Sequence, residues 1–264
     1  MIPFLRKVRK TLLEKNSLGR YALYAIGEIL LVVIGILLAL QINNWSEEQK
    51  MREIELKTLS DLKVEFAENL EDARRVYEGN KGIYQAASAL QRNAQDGLFD
   101  RTETDSLLFY MFDWFDYTPK PGASNNLINA GNLNLIRNEE LRYLLTLWPG
   151  VNDELDDDEQ LAIAYSQNTI IPFLSVHYPM SNLEKYDSGL THYTTRDDVN
   201  APDHLPERRD YDPAALLKNP IFLNHVSAKK MYALHNALEC HLVVESCLEI
   251  LRLIQEELDR EKKP

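Results

Sequence analysis

The chain has 264 residues, of which 45% are hydrophobic, and 29 Lys and Arg stand against 41 Asp and Glu, for a formal net charge of -12. This composition is typical of a globular protein with one or two domains and excludes a chain that is disordered throughout. The acidic balance disfavours a nucleic-acid-binding protein. Two cysteines exclude a disulfide scaffold and a cysteine-rich zinc module.

Positive charge is concentrated in residues 1–20, where six basic residues and one acidic residue give a net charge of +5, against -17 for the remainder. A basic arm before an apolar segment predicts a cytoplasmic N-terminus. Residues 2–15 also place apolar side chains on one helical stripe and basic ones off it, as in segments that lie on anionic membrane surfaces. A basic arm that only sets the topology fits the same residues.

The segment 21–43 is predicted to cross a membrane. From Tyr21 to Ile42 a helix would extend about 33 Å, enough for a hydrocarbon core of about 30 Å. Tyr21, Tyr24 and Trp45 flank the segment as aromatic residues do at membrane interfaces. A cleaved signal sequence is disfavoured because the apolar stretch is long and lacks an A-x-A-like site. A buried core helix is disfavoured because the segment is apolar on every face.

Glu28 is the ionisable residue inside this span, about 10 Å from its Tyr21 end. An ionised carboxylate is costly at that depth, so Glu28 is a candidate functional residue. Three interpretations stay open: a carboxyl that reaches its own flank, a hydrogen-bonding group in helix assembly, and a proton carrier. Gly35 and Ala39 form a small-xxx-small pair that would let a second helix approach closely.

The residues YAIGEILLVVIGILLALQINNWSEEQK, preceded by FLRKVRKTLL, resemble the hallmark of a bacterial family of single-span membrane proteins known only as a domain of unknown function. The likeness is close over residues 4–50 and returns more loosely at Asn126–Arg142 (NLINAGNLNLIRNEELR). It implies a single-span envelope protein with a helical extracytoplasmic region. It implies no activity, cofactor or catalytic residue. The implied motif positions are Glu28, Gln41, Asn43, Asn44 and Trp45.

Residues 44–264 predict an all-α, elongated helical bundle outside the cytoplasm. Its first helix, over residues 46–95, is expected to continue from the membrane span because apolar residues recur every three or four positions. Asn69 is one of the polar interruptions of that stripe. A bend or a break is expected at Gly79 and Gly82.

The last helix is predicted from Asn219-Pro220 to about Arg260, as the antiparallel partner of the first. Cys240 and Cys247 lie about 10 Å apart on it and so cannot bond to each other. They are interpreted as small buried side chains, with a disulfide between chains as the alternative.

Capping residues predict shorter helices between these two. Thr102 or Thr104 is expected to cap one helix, Ser124 a short helix that stops at Gly131, and Asn138 the next. The aromatic-rich LFYMFDWFDY, in the first of these segments, is interpreted as core, with an exposed binding surface as the alternative.

The acidic run at residues 153–159 matches a calcium loop poorly, because the turn glycine and the terminal glutamate are missing. It is predicted to be a solvated helix start after Pro149-Gly150, and the helical pattern then lasts to about Phe173. Residues 178–220, with five prolines, predict a loop over the bundle or a partner-facing excursion.

Motifs for phosphate, dinucleotide, hydrolase and di-iron chemistry are missing from the sequence. Two pairs, His235 with Glu239 and His241 with Glu245, have a chelating spacing but point about 240° apart around one helix. The sequence therefore predicts no catalytic residue, no metal site and no cofactor.

We predict a non-enzymatic, single-pass protein of the bacterial inner membrane, with a cytoplasmic N-terminus and most of the chain in the periplasm. Its expected partners are the lipid bilayer and an envelope protein or a second copy, and not nucleic acid. One alternative is a ligand-sensing bundle that signals through a partner chain. Another is an accessory subunit of a proton-driven membrane complex in which Glu28 titrates.

Overall fold

The computed structural model describes residues 18–120, 122–183, 186 and 209–261, with side chains from residue 25 onward. These residues are 87% helical and include no strand, which confirms the all-α class. The chain divides into two compact units, Met1–Lys57 and Thr58–Pro264.

The helices described are α1 (Leu18–Asp96), α2 (Arg101–Phe112), α3 (Ala123–Asn129), α4 (Glu139–Tyr165), α5 (Ile171–His177), α6 (Pro213–Leu217) and α7 (Pro220–Glu261). A π-helical turn at Ser166–Ile170 joins α4 to α5, and single 3-10 turns lie at Leu133–Leu135 and Met180–Asn182.

In the first unit, the apolar part of α1 is long and apolar enough to cross a membrane. It contains an 18-residue window with a mean hydropathy of 2.5, and none of this window is buried. Every residue from 26 to 45 is exposed. This stretch is therefore the apolar N-terminal helix that the sequence predicts.

In the second unit, α1 and α7 are antiparallel, as predicted. Contacts that lie further along α1 fall earlier along α7: Lys63 donates to Gln255 at 2.7 Å, whereas Gln91 donates to Ser227 at 2.8 Å. The two helices pack along their length because each has an apolar stripe, with apolar residues every three or four positions.

Two clusters of buried side chains form the core of this unit. The first joins α1, α4 and α7, and in it the Phe66 and Trp148 rings pack with centroids 4.8 Å apart. The second joins α1 to α2, α5, α6 and the start of α7, around Leu108, Leu174 and Phe222. The apolar periodicity read from the sequence thus marks the faces that are buried.

Local capping explains where several helices begin and end. Asn138 caps α4 as predicted, because its Oδ1 accepts the Leu141 N–H at 3.0 Å. Gly131 ends α3 as predicted: it adopts φ +68° and donates to the Ile128 carbonyl. A left-handed glycine at this position closes a helix C-terminus without a steric penalty.

The predicted caps at Thr102 and Thr104 are wrong. Asp100 caps α2 instead, because its Oδ1 accepts the Glu103 N–H at 2.7 Å. The hydroxyl of Thr104 donates to the Asp100 carbonyl at 2.6 Å, inside the first turn. Aspartate is as good a cap as threonine, so several residues in this stretch met the sequence criterion.

The predicted helix start after Pro149-Gly150 is also wrong, because α4 runs through both residues. An internal proline removes one hydrogen bond and costs about 3 kcal/mol. Buried Leu145 and Trp148 before it and Leu155 after it keep α4 packed on the core, and this burial offsets the penalty.

The aromatic segment LFYMFDWFDY, residues 108–117, is divided between core and surface. Leu108, Met111 and Tyr117 are buried, which confirms the core interpretation for these three. Tyr110 and Trp114 are 56% and 42% exposed.

Two helices near the C-terminal end of the proline-rich segment begin with a capping side chain, and the second begins at Asn219-Pro220 as predicted. Asp212 accepts the Ala214 N–H at 2.9 Å, and Asn219 accepts the Ile221 N–H at 2.9 Å. Within 178–220, residues 184–185 and 187–208 lie outside the described residues.

Candidate functional site

The candidate intramembrane residues lie on the exposed stretch of α1. Glu28, Gly35 and Ala39 are exposed, and a Cβ built on Gly35 would meet nothing within 4 Å. At about 100° per residue, the three positions fall within about 40° of one another around the helix. One face of α1 therefore carries the carboxyl group and both small residues.

The expected interface anchors lie elsewhere. Trp45 is 63% exposed and stands about 100° around the helix from Glu28. Tyr21, Tyr24 and the basic arm lie outside the residues whose side chains the structure describes. Their role at a membrane interface stays a prediction.

Polar side chains of α1 hold the segment that follows α2, which we name the strap (residues 116–120 and 122–124). Glu65, Asn69 and Asp72 are spaced four and three apart, so they share one face of α1. Their oxygens accept backbone N–H groups of the strap at 2.8–3.1 Å; the pairs are Asp72 with Thr118, Asn69 with Lys120, and Glu65 with Ser124.

Glu65 also replaces the helix cap that the sequence predicts at Ser124. Ser124 lies inside α3, and both its N–H and its hydroxyl donate to the Glu65 carboxylate. The N-cap residue is Gly122, which makes no side-chain cap bond. A Cβ on Gly122 would lie 3.0 Å from a Glu65 oxygen. The prediction is wrong because the capping oxygen comes from another helix.

Glu159 of α4 holds the strap from its other side. Its Oε2 accepts the Tyr117 N–H at 2.9 Å, and the residue is only 1% exposed. Burial raises the pKa of Glu159 to about 8, and the backbone hydrogen bond from Tyr117 opposes that rise. The strap is thus fixed between α1 and α4 by the side-chain oxygens of three carboxyl groups and one amide.

Gly79 lies where the ring of Phe115 crosses α1. A Cβ on Gly79 would lie 2.4 Å from atoms of that ring. The break expected at Gly79 or Gly82 is wrong, since α1 runs unbroken through both. The absent side chain of Gly79 serves close packing, because any larger residue would displace the aromatic ring.

Lys229 of α7 is a buried cation between Asp113, which follows α2, and the π-helical turn. Its Nζ donates to the Asp113 carbonyl at 3.1 Å and to Ser166 Oγ at 3.0 Å. Burial lowers the pKa of Lys229 to about 8. The Ser166 hydroxyl donates to the Ala162 carbonyl at 2.9 Å, so its proton points away from the lysine. A lysine that acted as a base on Ser166 would have to accept the hydroxyl proton, and here the lysine donates instead.

Asp105 joins the two chain segments that flank the undescribed part of the proline-rich region. The hydroxyl groups of Tyr178 and Tyr211 both donate to Asp105 Oδ1 at 2.8 Å. Nearby, Asn182 exchanges two hydrogen bonds with the backbone of Arg209, at 2.9 and 3.0 Å. We name these five residues the clasp. It brings the chain before residue 184 next to the chain after residue 208.

Cys240 and Cys247 are free and fully buried, as interpreted, and burial raises the pKa of each thiol to about 12. Among the described residues, no group of three or more His, Cys, Asp or Glu side chains could hold a metal ion.

The fold defines the class of the protein: an all-α chain whose N-terminal helix is long and apolar enough to cross a membrane. Residues 28–147 match the model of a family described as a family of unknown function, DUF6090. The match takes in Glu28, the strap and the beginning of α4, and it supports the resemblance to a family of unknown function over these residues. No curated protein and no solved structure matches the chain.

The strap contacts, the clasp and the burial of Lys229 were not predicted from the sequence. Asn69 stood out as a polar interruption of an apolar stripe, and it proved to be a strap ligand. Lys229 gave a comparable signal, since it lies three residues after buried Val226 and four before buried Ala233. Asp105 has no such signal, because the tyrosines that bind it lie 73 and 106 residues away.

Proposed function

We propose that this protein is a single-span inner-membrane protein whose helical bundle binds a protein partner in the cell envelope and catalyses no reaction. The exposed apolar window of α1 carries the proposal. Water contact along such a helix is unfavourable, and a hydrocarbon layer removes it. The basic arm supports an orientation with the N-terminus in the cytoplasm.

Glu28 supports assembly within the membrane. Together with Gly35 and Ala39, it lies on one face, where small residues let a second helix approach and a carboxyl group hydrogen-bonds across the contact. Helix assembly therefore accounts for all three residues of this face, whereas a Glu28 carboxyl that reaches only its own flank leaves the two small residues unexplained.

The outer stripe of α7 supports a protein partner of the bundle. It consists of large hydrophobic side chains that are exposed and recur every three or four residues: Met231, Leu234, Leu238 and Leu242. Amphipathic helices commonly bind proteins through apolar residues spaced in this way. The expected occupant is an envelope protein or a second copy of the chain.

The topology is tested with single added cysteines and a membrane-impermeant maleimide on cells whose outer membrane is opened. The native thiols are buried with raised pKa values, so their background labelling is expected to be low. Glu140→Cys, at an exposed position of α4, is expected to label at once. Lys10→Cys is expected to label only after the inner membrane is opened. The reverse pattern would overturn the orientation.

Partner binding is tested by crosslinking in native membranes followed by pull-down of the full chain. Leu238→Lys is expected to lose a partner that binds the outer stripe, whereas Val64→Lys, at an isolated exposed position of α1, should keep it. Co-purification of two differently tagged copies identifies a second copy as the partner. Equal capture by both lysine variants would overturn the role of the stripe.

Glu28 is tested in the same assay. Glu28→Ala is expected to lose a partner held within the membrane, and Glu28→Gln to retain it, because an amide still hydrogen-bonds. Retention of every partner by Glu28→Ala would remove Glu28 from assembly.

A further inference from the structure

A groove of about 420 Å³ lies between α1 and α7, outside the strap and the clasp. Its charged lining side chains are Arg92 and Lys230, accompanied by the amides of Gln85, Gln91 and Gln95. Among the residues that the structure describes, no Asp or Glu lines this groove. The groove is therefore a locally basic, hydrogen-bonding site on an acidic protein.

Lys230 is held in place by a chain of hydrogen bonds. Its Nζ donates to Gln91 Oε1 at 2.9 Å, and Gln91 Nε2 donates to Ser227 Oγ at 2.8 Å. Ser227 in turn donates to the Leu223 carbonyl at 2.8 Å. The ammonium group also lies 5.3 Å from the centre of the Tyr84 ring. The cation is thus positioned before any ligand arrives, which lowers the entropic cost of binding.

The positive charge of the groove is not neutralised within the described part of the chain. Neither Arg92 nor Lys230 forms an ion pair there. Two cationic side chains without an ion-pair partner are what an oxyanion uses.

We propose that this groove binds a small polar ligand through a phosphate or carboxylate group, held by Arg92 and Lys230. The amides of Gln85 and Gln95 contact the rest of the ligand. The volume lies within the range of about 300–1,000 Å³ that small-molecule sites occupy. The groove shares no lining residue with the outer stripe of α7 or with Glu28. Ligand binding in the groove can therefore be tested independently of partner binding.

The test uses the purified full chain in micelles of uncharged detergent, with inorganic phosphate as the probe and chloride keeping the ionic strength constant. A ligand that binds the folded state raises the melting temperature in a saturable way. We expect such a rise for the native chain, and an apparent Kd at least tenfold higher for Arg92→Gln and for Lys230→Met. Methionine keeps an apolar stem over Tyr84, so loss of charge is separated from loss of packing.

Arg74→Gln is the matched control, because Arg74 is an exposed arginine of α1 outside the groove. It should bind phosphate like the native chain. A rise that does not saturate, or one that is equal in all variants, would overturn the proposal.

A second arm distinguishes a soluble anion from a lipid headgroup. The chain is placed in nanodiscs of phosphatidylcholine, with or without phosphatidylglycerol. Equal phosphate binding in both supports a soluble ligand. Loss of phosphate binding only with phosphatidylglycerol supports a headgroup in the same site.

Discussion

At the scale of single residues, Glu159 couples the strap to pH. Its folded-state pKa of about 8 exceeds the ordinary value of 4.5, so between these values the folded chain binds more protons than the unfolded chain. The resulting stability is fully present below about pH 4.5 and is lost as the pH rises through about 8. Lys229 changes the stability in the opposite direction and in a separate pH range. Because its folded-state pKa is lowered to about 8, its contribution makes the stability rise between about pH 8 and pH 10.5.

Glu159→Gln is therefore expected to flatten the fall in melting temperature between pH 5 and pH 7.5, measured on the full chain in micelles. Glutamine keeps an acceptor for the Tyr117 N–H and cannot ionise. Glu154→Gln, at an exposed position of the same helix, should leave the slope unchanged. Identical slopes in all three proteins would contradict a buried, titrating Glu159.

Gly79 and Gly82 are a natural pair for measuring the cost of close packing. Gly79→Ala places a Cβ against the Phe115 ring, and overpacking of this kind costs about 1–3 kcal/mol. Gly82→Ala meets no atom within 4 Å and gains helix propensity of up to about 1 kcal/mol. In thermal unfolding, the melting temperature should thus fall for Gly79→Ala and rise for Gly82→Ala. Stabilisation by both variants would show that the ring moves without cost.

At the scale of elements, the clasp attaches two chain segments to α2. Asp105→Ala removes the acceptor of two buried or half-buried tyrosine hydroxyls, and each lost partner costs about 1–3 kcal/mol. Amide hydrogen exchange should quicken at residues 178–183 and 209–212, with α1 and α7 unaffected. Tyr211→Phe removes one of the two bonds and should have a smaller effect. Uniform loss of protection would instead indicate global unfolding.

The elements also show which features can be predicted from sequence. Asn138 and Asn219 cap their helices through N–H groups within three residues, so a local pattern was enough to find them. The start of α3 was placed wrongly because Glu65, 59 residues away, supplies its capping oxygen. The continuation of α4 through Pro149 depends on burial against the core, which no local propensity records.

At the scale of the whole molecule, the two units differ in what stabilises them. The unit that begins at Thr58 buries its apolar side chains in two clusters. The unit before it exposes every residue from 26 to 45, including large aliphatic side chains. The apolar helix of this unit is long and apolar enough to cross a membrane.

The sequence by itself determined the all-α class, the long apolar N-terminal helix, the antiparallel end helices and the buried cysteines. Hydrophobic periodicity, apolar length and local caps depend on residues a few positions apart, so they can be predicted without knowledge of the tertiary structure. Only the tertiary structure decided the strap, the clasp, the close approach at Gly79 and the groove around Lys230. Each of these depends on polar or aromatic groups from distant parts of the chain, whose partners are chosen by packing and not by spacing.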